Sequence, residues 1–486
     1  MKPLSLLRGY ITRPLSHVCR KMNRLHTCYL YEFLVAVTVI TLGFQIIGMM
    51  DTMKVKTQTS HIEHNEVGHL SPEERWGSDR RDFDDLLTHT QAANISRAVS
   101  RTYFCNNEST GSFNILVFGG IKVIRQWQEL NVLVNNFKAV DKTSHSLHVT
   151  CPYLRTTPDV VLDEGGTDIP CESNVRVVLS SNMNELTGKD IIVLGMSPYS
   201  LKIKTKVMRS KTSTNQLFVF YGVETPLRMR EWIPDIGRQP VHAVWSYLES
   251  SDTVIPYGRY RKFPDGKSKR IAMETITGNK SKLIAWMGSN CVKQVFWPRM
   301  GLIYELQKYI QVDTYGKCGN LSCLPRMSEK CQHLMGEYKF YLSLENAECS
   351  DYMTEKFWDT GLIQGAVPVV YGAKKEDYER LAPPRSFIHV SDFESIESLA
   401  NYLLLLDRND ILYQKYFEWR KHGEIEMVFP PLVPSSFCDV IKQYHLLKRG
   451  LLTAKELSET TWYQGCRLEA ASVHHEHDFE TWRPWK

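Results

Sequence analysis

The chain has 486 residues, of which 43% are hydrophobic and 23% are charged. This composition is ordinary for a folded protein of two or three domains, and it excludes disordered, collagen-like and polytopic membrane classes for most of the length. The formal net charge is +5, and residues 1–32 carry six basic side chains against one acid, Glu32. Because the remainder is balanced, bulk charge gives no reason to expect nucleic-acid binding.

Residues 33–50 read FLVAVTVITLGFQIIGMM and contain no charged side chain. As a helix this segment spans about 27 Å, which is short but sufficient to cross a membrane. Basic residues precede it and Asp51 follows, so the positive-inside rule predicts a cytosolic tail at 1–32 and a lumenal location for the rest. A cleaved signal peptide is the less favoured alternative, because the charged region is long and no A-x-A-like site follows.

Two further features agree with a lumenal location. Ten of the twelve cysteines follow the apolar segment, where disulfides can form, whereas Cys19 and Cys28 precede it and are expected to stay free thiols. All N-x-S/T sequons also follow it. They begin at Asn94, Asn107, Asn279 and Asn320.

Residues 51–110 are polar and lack apolar periodicity, which predicts a stem. Within it, Asp82, Asp84 and Asp85 form a D-x-D pattern. A metal site needs a rigid scaffold, and a stem does not supply one, so we do not expect metal binding there.

The predicted first lobe, 111–270, contains short apolar runs that each close on glycine, as buried strands often do. They are NILVFG (114–119), DIIVLG (190–195) and LFVFYG (217–222). The polar, basic stretch 259–282 is predicted to connect this lobe to the next.

The predicted second lobe, 271–445, alternates apolar runs with helical patterns, which predicts βαβ units and a parallel sheet. The expected strands are 282–288, 310–316, 339–345, 366–372 and 386–390, and the expected helices are 298–309, 326–336, 352–365, 394–406 and 409–421. Ligands of such sheets bind at the carboxyl ends of the strands. No G-x-G-x-x-G or Walker motif occurs, so two lobes with a cleft favour a nucleotide-sugar transferase.

Charged side chains follow two of these strands. We expect Asp351 to cap a helix whose first turn holds Tyr352, Glu355 and Lys356. A carboxylate there could hold ribose and an ammonium could neutralise a diphosphate, although an ordinary surface pair is favoured on composition alone. Arg299 is expected at the start of another helix, after Pro298, where it either binds phosphate or faces solvent.

Several of these segments resemble the α-1,3-fucosyltransferases of glycosyltransferase family 10, the invertebrate-type members most closely. The segments are YKFYLSLENAECSDYMTEKFW (338–358), GAVPVVYGA (365–373), SFIHVSDFES (386–395), YELQKYIQVDTYGKCG (304–319), VIPYG (254–258) and VETP (223–226). The resemblance covers about 215–421. It implies a GT-B-like α/β fold of two Rossmann-like lobes, GDP-fucose as donor, no cofactor or essential metal, and inverting transfer to the 3-OH of a GlcNAc.

The resemblance also implies roles for individual residues. Glu224 would be the general base, with a surface acid before Pro226 as the alternative. The implied donor-binding residues are Arg299 and Lys356 at the diphosphate, Glu355 at the ribose, and Asn346, Tyr352, Ser289 and Asn290 around the pocket.

The chain departs from the family pattern in places. Where members often read Y-R-x-D-S-D, residues 247–252 read YLESSD, so Leu248 and Ser250 differ. A C-terminal C-x-x-C of many members is reduced to Cys438, with Ile441 in place of the second cysteine. We expect these differences to alter the choice of acceptor or the packing of the lobes, or to reduce activity.

Five cysteines resemble the pattern of invertebrate core-type members: Cys291, Cys318, Cys323, Cys331 and Cys349. Because five is odd, at least one must pair outside the set or stay free. Cys291–Cys318 is the expected pair, since both should lie near the carboxyl ends of neighbouring strands. In the C-terminal extension, 446–486, the histidine-rich stretch 474–478 is expected to be a mobile polar terminus in preference to a metal site.

Together these features predict a Golgi type II membrane glycoprotein that fucosylates GlcNAc of glycoprotein N-glycans, with the core α-1,3 position favoured. Lewis-type fucosylation of lactosamine and fucosylation of protein are the alternatives within the class. A catalytically inactive lumenal lectin is the alternative from another class. The expected partners are GDP-fucose, a glycoprotein glycan and the membrane, and a homodimer is left open.

Overall fold

The computed structural model describes residues 106–127, 130–152, 170–211, 215–325, 328–467, 479 and 482–484. These residues belong to one compact unit, 100–486. The predicted tail, apolar segment, D-x-D pattern and histidine-rich stretch lie outside the described residues, as does Asn94. Within the described part of the chain, no helix has the length and apolar character that a membrane crossing needs.

The strands occur in two groups along the chain. They are β1 (Asn106–Phe118), β2 (Lys138–Ala139), β3 (His145–Pro152), β4 (Pro170–Ser180), β5 (Ile191–Leu194), β6 (Leu217–Gly222), β7 (Pro240–Val241), β8 (Ala243–Ser246), β9 (Thr253–Val254), β10 (Gly258–Lys262), β11 (Lys282–Met287), β12 (Asp313–Tyr315), β13 (Tyr338–Leu344), β14 (Val367–Tyr371), β15 (Ile388–His389), β16 (Gly423–Met427) and β17 (Lys455–Glu456).

Helices alternate with most of these strands. They are α1 (Ile121–Ile124), α2 (Asn131–Asn136), α3 (Pro198–Arg209), α4 (Pro226–Trp232), α5 (Met273–Thr277), α6 (Arg299–Leu306), α7 (Glu329–Gly336), a π-helix (Lys356–Ile363), α8 (Lys375–Leu381), α9 (Ile396–Arg408), α10 (Asp410–Gln414), α11 (Ile441–Lys448) and α12 (Thr461–Gln464). Short 3₁₀ turns include Val390–Asp392 and Lys415–Lys421.

The first sheet has eight strands in the order β2-β3-β4-β1-β5-β6-β8-β9. From β4 to β9 the neighbours are parallel, and β2 and β3 join at one edge in antiparallel pairs. The residues of β5 and β6 are buried throughout, as strands covered on both faces should be. The predicted strand 217–222 is confirmed, whereas β1 starts well before the predicted 114–119.

The second sheet has five parallel strands in the order β12-β11-β13-β14-β15. The prediction of a parallel sheet from alternating strands and helices is therefore confirmed. β12 begins at Asp313 instead of residue 310, because residues 307–310 still make the last turns after α6.

The structure corrects the helix predicted at 352–365. Asp351 has a positive φ of 57°, so it turns the chain and does not cap a helix. Helical structure begins at Lys356, as a π-helix, after Glu355, which makes no capping side-chain hydrogen bond. Tyr352 therefore lies in a loop before the helix, and only Lys356 is in its first turn.

The segment predicted to connect the lobes contains structure of its own. β10 pairs with β16 in an antiparallel ribbon, and the polar residues 264–270 between β10 and α5 are largely exposed. After the second sheet the chain returns to the first lobe, where β17 pairs with β7.

Four disulfides tie the described residues together. Cys291–Cys318 is present, as expected, and Cys323 pairs with Cys331. The fifth cysteine of the predicted set, Cys349, pairs outside it with Cys466. Cys438, left over from the family's C-x-x-C, pairs with Cys151 of β3 and so fastens the C-terminal region to the first sheet.

Candidate active site

The carboxyl ends of β11, β13 and β14 meet at one edge of the second sheet, where parallel sheets bind ligands. Arg299, the first residue of α6, lies at this edge and is 2% exposed. Its Nη1 donates to the Leu344 carbonyl (3.1 Å) and to Asn346 Oδ1 (2.7 Å), and its Nη2 donates to the Asn290 carbonyl. Arg299 and Asn346 are thus brought together, and Arg299 also fixes the turn after β11.

Burial lowers the pKa of Arg299 to about 10, while the negative charge of Glu345 opposes that change. The guanidinium is therefore still cationic at neutral pH. Its buried Nε has no hydrogen-bond partner among the described residues. A buried cation with an unused donor is a site that favours an anion.

Glu345, which the sequence analysis did not assign, is the centre of this edge. It is fully buried and accepts from the backbone N–H of Thr354 (2.8 Å), from the Thr354 hydroxyl (2.8 Å) and from Lys356 Nζ (2.9 Å). Gly372 has a φ of 140°, and a Cβ on it would lie 2.6 Å from the Cβ of Glu345. Only glycine therefore allows β14 to pass this close to Glu345.

Lys356 and Glu355 lie beside this carboxylate. The side chain of Lys356 is 13% exposed, and its Nζ is 3.6 Å from Glu355 Oε1 as well as 2.9 Å from Glu345 Oε2. The sequence could have indicated Glu345 through its place at the end of a buried strand, one residue before Asn346.

Ser289, another predicted donor-binding residue, follows β11 and is exposed at the same edge of the sheet.

Tyr352 connects the two lobes. Its hydroxyl donates to Glu224 Oε2 at 3.2 Å, and its ring lies 4.9 Å from that of Tyr247 and 6.2 Å from that of Tyr257. Burial, followed by the charge of Glu224, raises the pKa of Tyr352 well above its usual range. The phenol therefore stays protonated and remains a donor to Glu224. The structure thus joins Glu224, the candidate base, to the loop that precedes the π-helix.

A second contact between the lobes lies next to the Tyr352–Glu224 hydrogen bond. The sequence analysis did not predict it. Arg380 of α8 pairs with Glu249 of the first lobe, with Asp351 and with Asp377. The backbone N–H of Glu249 also donates to Asp351 Oδ2 at 3.0 Å. These pairs hold Asp351 in its turn, and Tyr352 is the next residue.

The two departures from the family pattern have structural partners. Leu248 is buried, with its N–H donating to Ser246 Oγ at 3.2 Å. Ser250 Oγ donates to Thr461 Oγ1 at 3.1 Å. At 247–252, therefore, an apolar side chain packs into the core and a serine contacts the returning C-terminal region.

The first lobe contributes an open pocket beside Glu224, at the carboxyl ends of β5 and β6. The volume that it encloses is only about 30 Å³. Glu224 follows β6 and precedes α4, whose first turn is capped by Thr225. Glu224 therefore lines this pocket and also contacts Tyr352 of the second lobe.

The remaining predicted residues are the acceptors for N-linked glycans. The side chains of Asn279 and Asn320 are exposed, as glycan acceptors must be, and Asn107 lies in β1. No cluster of three or more His, Cys, Asp or Glu side chains suited to a metal ion occurs in the described part of the chain.

A sequence model of the family described as glycosyltransferase family 10 (fucosyltransferase) C-term matches residues 277–460, which hold the whole second-sheet edge. The chain resembles the α-1,3-fucosyltransferases. Glycoprotein 3-alpha-L-fucosyltransferase A of Drosophila melanogaster is 38% identical over 219 residues, 45% of this chain and 42% of that protein. Alpha-(1,3)-fucosyltransferase C of the same species is 31% identical over 279 residues, 54% of this chain and 63% of that protein.

Each of these fucosyltransferase alignments covers less than two thirds of the relative's own length. A crystal structure of an alpha1,3-fucosyltransferase is 15% identical, with a TM-score of 0.40, and the match covers 75% of this chain and 95% of that one.

Proposed function

We propose that the protein transfers fucose from GDP-fucose to the 3-OH of a GlcNAc on glycoprotein N-glycans, with the core position favoured. The observation that carries this proposal is the 3.2 Å contact between Tyr352 of the second lobe and Glu224 of the first. This contact supports the proposal because it would hold the carboxylate of a general base beside the bound donor. The similarity to a Drosophila glycoprotein 3-alpha-L-fucosyltransferase supports the glycoprotein acceptor.

In this proposal the donor diphosphate lies at the carboxyl edge of the second sheet. Arg299 supplies a buried positive charge with an unused Nε donor, and Lys356 supplies an ammonium that Glu345 and Thr354 hold in place. Glu355, 3.6 Å from that ammonium, is positioned to accept from ribose hydroxyls. Together these residues would stabilise the negative charge of departing GDP.

Transfer then follows a single displacement. Glu224 accepts the proton of the acceptor 3-OH as its oxygen bonds to C1 of fucose and the C1–O bond to GDP breaks. The configuration at C1 inverts, and the centre passes through an oxocarbenium-like state. Tyr352, which stays protonated, holds one oxygen of Glu224 during this step. The family resemblance implies that no metal is needed, so activity should survive EDTA.

The charge asymmetry about 33–50 leads us to propose a Golgi type II topology with a lumenal catalytic region. Exposed Asn279 and Asn320 are then available for glycosylation. Endoglycosidase treatment of the cell-expressed protein should increase its gel mobility. An absent shift, together with protease access to the C-terminus from the cytosol, would contradict this topology.

One assay tests the activity directly. The full chain is incubated with GDP-fucose and three acceptor classes: a chitobiose-core glycopeptide, N-acetyllactosamine and an unglycosylated peptide. We expect fucose on the core GlcNAc. Transfer only to lactosamine or to peptide would move the proposal to one of those acceptors, and no transfer to any class in a protein that binds glycan would favour a lectin.

A further inference from the structure

Arg380 joins three carboxylates where the two lobes meet. From α8 of the second lobe, its Nη1 pairs with Glu249, which lies between β8 and β9 of the first lobe. Its Nη2 pairs with Asp351 and, at 3.2 Å, with Asp377 in the first turn of α8. One guanidinium therefore links the first lobe to the loop that precedes the π-helix.

Backbone groups bind to the same carboxylates. The N–H of Glu249 donates to Asp351 Oδ2 at 3.0 Å, so both lobes supply donors to this one side chain. The N–H of Asp351 donates to Asp377 Oδ2 at 3.1 Å. Asp351 has a φ of 57°, and a residue other than glycine keeps that conformation only where its surroundings hold it. Here the cluster around Arg380 holds it.

The members of this cluster differ in exposure. The side chains of Asp351 and Asp377 are 4% and 13% exposed, whereas those of Arg380 and Glu249 are 44% and 53% exposed. An exposed ion pair adds little to the stability of a fold, and salt screens it. The exposed pair between the lobes is therefore suited to fixing the position of one lobe against the other.

The residue next to the turn at Asp351 is Tyr352. Its hydroxyl donates to Glu224 Oε2 at 3.2 Å across the lobes, and its ring lies 4.9 Å from that of Tyr247. The short segment from Tyr247 to Glu249 thus contacts the second lobe at both of its ends. A shift of the turn would move the hydroxyl from which Glu224 accepts.

We propose that Arg380 is a positioning residue for the transfer reaction. With Glu249 it fixes the turn at Asp351. That turn holds the hydroxyl of Tyr352 where Glu224 accepts from it. The inference rests on the proposed function, in which Glu224 is the base, and it makes an ion pair between the lobes a determinant of the rate. Arg380 acts through Tyr352 and needs no contact with the sugar or the nucleotide.

Two other roles for these residues lead to different results. A purely structural ion pair would change the melting temperature and leave kcat of the folded enzyme unchanged. A role of Glu249 as the general base would make its loss cost about 10²–10⁴-fold in kcat. A positioning role lies between these limits, because a displacement of about 1 Å away from the reacting atoms can cost up to about 10²-fold.

Steady-state kinetics of the full chain, with GDP-fucose and acceptor both saturating, measure this effect. Glu249→Gln keeps the shape and the backbone N–H but removes the charge between the lobes. We expect kcat to fall by about twofold to fivefold, the range of one exposed pair, with the Kd of GDP unchanged. Arg380→Gln releases three carboxylates and should lower kcat by about tenfold to hundredfold, and Arg380→Lys should restore part of the loss.

Salt gives a second measurement on the wild-type chain. Its kcat should fall by about twofold as NaCl rises from about 0.05 M to about 0.5 M, because the exposed pair is screened. Glu249→Gln should lose this dependence. Arg261→Gln is the matched control, because Arg261 is also an exposed arginine in a two-bond ion pair, but its partner is Glu426 of the β10–β16 ribbon. It should keep the wild-type kcat and salt dependence.

A double-variant cycle tests whether Arg380 acts through Tyr352. Tyr352→Phe removes the hydroxyl from which Glu224 accepts. In that background Arg380→Gln should change kcat by less than about twofold, because the group that it positions is gone. A full further loss in the double variant would overturn the inference, and so would a loss of 10²-fold or more in Glu249→Gln.

The outcomes separate this inference from the proposed function. Unchanged kcat in both charge variants, with GDP still bound, would overturn the positioning role and leave the transferase. If Arg380→Gln misfolds, Glu249→Gln and the salt titration decide.

A wild-type protein that transfers no fucose would reject the proposed function, and hydrogen exchange would then decide the contact. The N–H of Met353 donates to the Asp351 carbonyl at 2.8 Å. It should exchange about twofold to fivefold faster in Glu249→Gln, the range of the lost pair. Unchanged exchange would overturn the inference.

Discussion

Glu224 is the residue on which the proposed chemistry depends, because it lies both in the first-lobe pocket and within hydrogen-bonding distance of Tyr352. Glu224→Gln keeps the shape and an oxygen that can accept from Tyr352, but it removes the base. We expect kcat to fall by roughly 10²–10⁴-fold while the Kd of GDP and the melting temperature stay nearly unchanged.

The GDP titration is the control for folding in that experiment. A folded, GDP-binding Glu224→Gln protein with kcat within about twofold of wild type, far below the expected effect, would place the base elsewhere. Glu249 is the acid of the first lobe that we would test next, and it is paired with Arg380 across the lobes.

Lys356 is paired with Glu345, so its substitution should affect stability as well as nucleotide binding. Its ammonium is 2.9 Å from fully buried Glu345, so Lys356→Ala leaves a buried carboxylate without the cation that it contacts directly. We expect this variant to lose both GDP affinity and about 3–5 kcal/mol of folding stability. The double variant Lys356→Ala/Glu345→Gln should recover much of the stability but not the GDP affinity.

Calorimetric GDP titrations and thermal melts of the two variants separate these effects. The single variant loses the charge-assisted contact to diphosphate, typically worth about 1.5–3 kcal/mol. If the double variant binds GDP as tightly as wild type, Lys356 does not contact the nucleotide. If the single variant melts like wild type, the Glu345 pair is not the stabilising contact that its burial indicates.

At the scale of elements, the outer strand of the second sheet depends on a neutral histidine. His389 of β15 is fully buried, and its Nδ1 accepts from the Ser391 N–H at 3.2 Å. The proton is therefore on Nε2, which faces the Ala373 carbonyl at 3.3 Å. Burial lowers the pKa of His389 to about 4, with Asp392, Lys375 and Glu376 as the nearby charges.

This histidine predicts a loss of stability in mild acid. An unfolded histidine has a pKa near 6.5, so between pH 6.5 and 4 the unfolded chain binds a proton that folded His389 does not. The presence of His389 should therefore lower the free energy of unfolding by roughly 2 kcal/mol when the pH falls from 7 to 5. We expect His389→Gln to lose less melting temperature over that range than wild type does.

A matched histidine variant controls for the rest of the molecule. The side chain of His333 is 83% exposed, so His333→Gln should show the wild-type pH dependence. Burial also lowers the pKa values of His242 and His445, and for that reason only the difference between variant and wild type is interpreted. A His389→Gln protein with the full wild-type acid loss would contradict the prediction.

At the scale of the whole molecule, residues near the C-terminus pack against the carboxyl edge of the second sheet. Trp482 stacks on Trp297 at 5.4 Å and meets Tyr371 edge-to-face at 5.0 Å, and Arg467 Nη1 donates to the Arg483 carbonyl at 2.9 Å. Trp297 in turn donates from Nε1 to the Glu345 carbonyl at 2.9 Å. The C-terminus thus supports the turn that carries Glu345.

We therefore expect Trp482→Ala to weaken GDP binding by about threefold to tenfold, the range of an aromatic contact. Gly301→Ala should act in the same direction, because its Cβ would lie 2.7 Å from the Cβ of Phe479 and displace that residue from α6. Arg483→Ala is the control, since its side chain is exposed and its backbone carbonyl stays in place. Calorimetric GDP titration gives the readout, and unchanged affinity in both test variants would mean that the C-terminus does not support the site.

The sequence by itself determined the elements whose signal is local. The run LFVFYG became β6 within its predicted bounds, and the alternation of apolar runs with helical patterns gave the parallel second sheet, because burial imposes those periods on the chain directly. The family motifs also singled out Arg299, Asn346 and Lys356, which the structure brings to one edge. The local pattern wrongly predicted that Asp351 caps a helix. Its left-handed turn is held by Arg380 and by Glu249 from the other lobe.

Only the tertiary structure decided how those parts act on one another. Tyr352 and Glu224 are 128 residues apart, and Glu249 and Arg380 are 131 apart, so no spacing in the sequence specifies their contacts. The ammonium of Lys356 is paired with Glu345 because two strand ends and a π-helix converge there. Glu224 contacts Tyr352 because the two lobes pack together. Packing of distant segments sets these distances, whereas the hydrophobic period of the chain sets only the elements that bring them there.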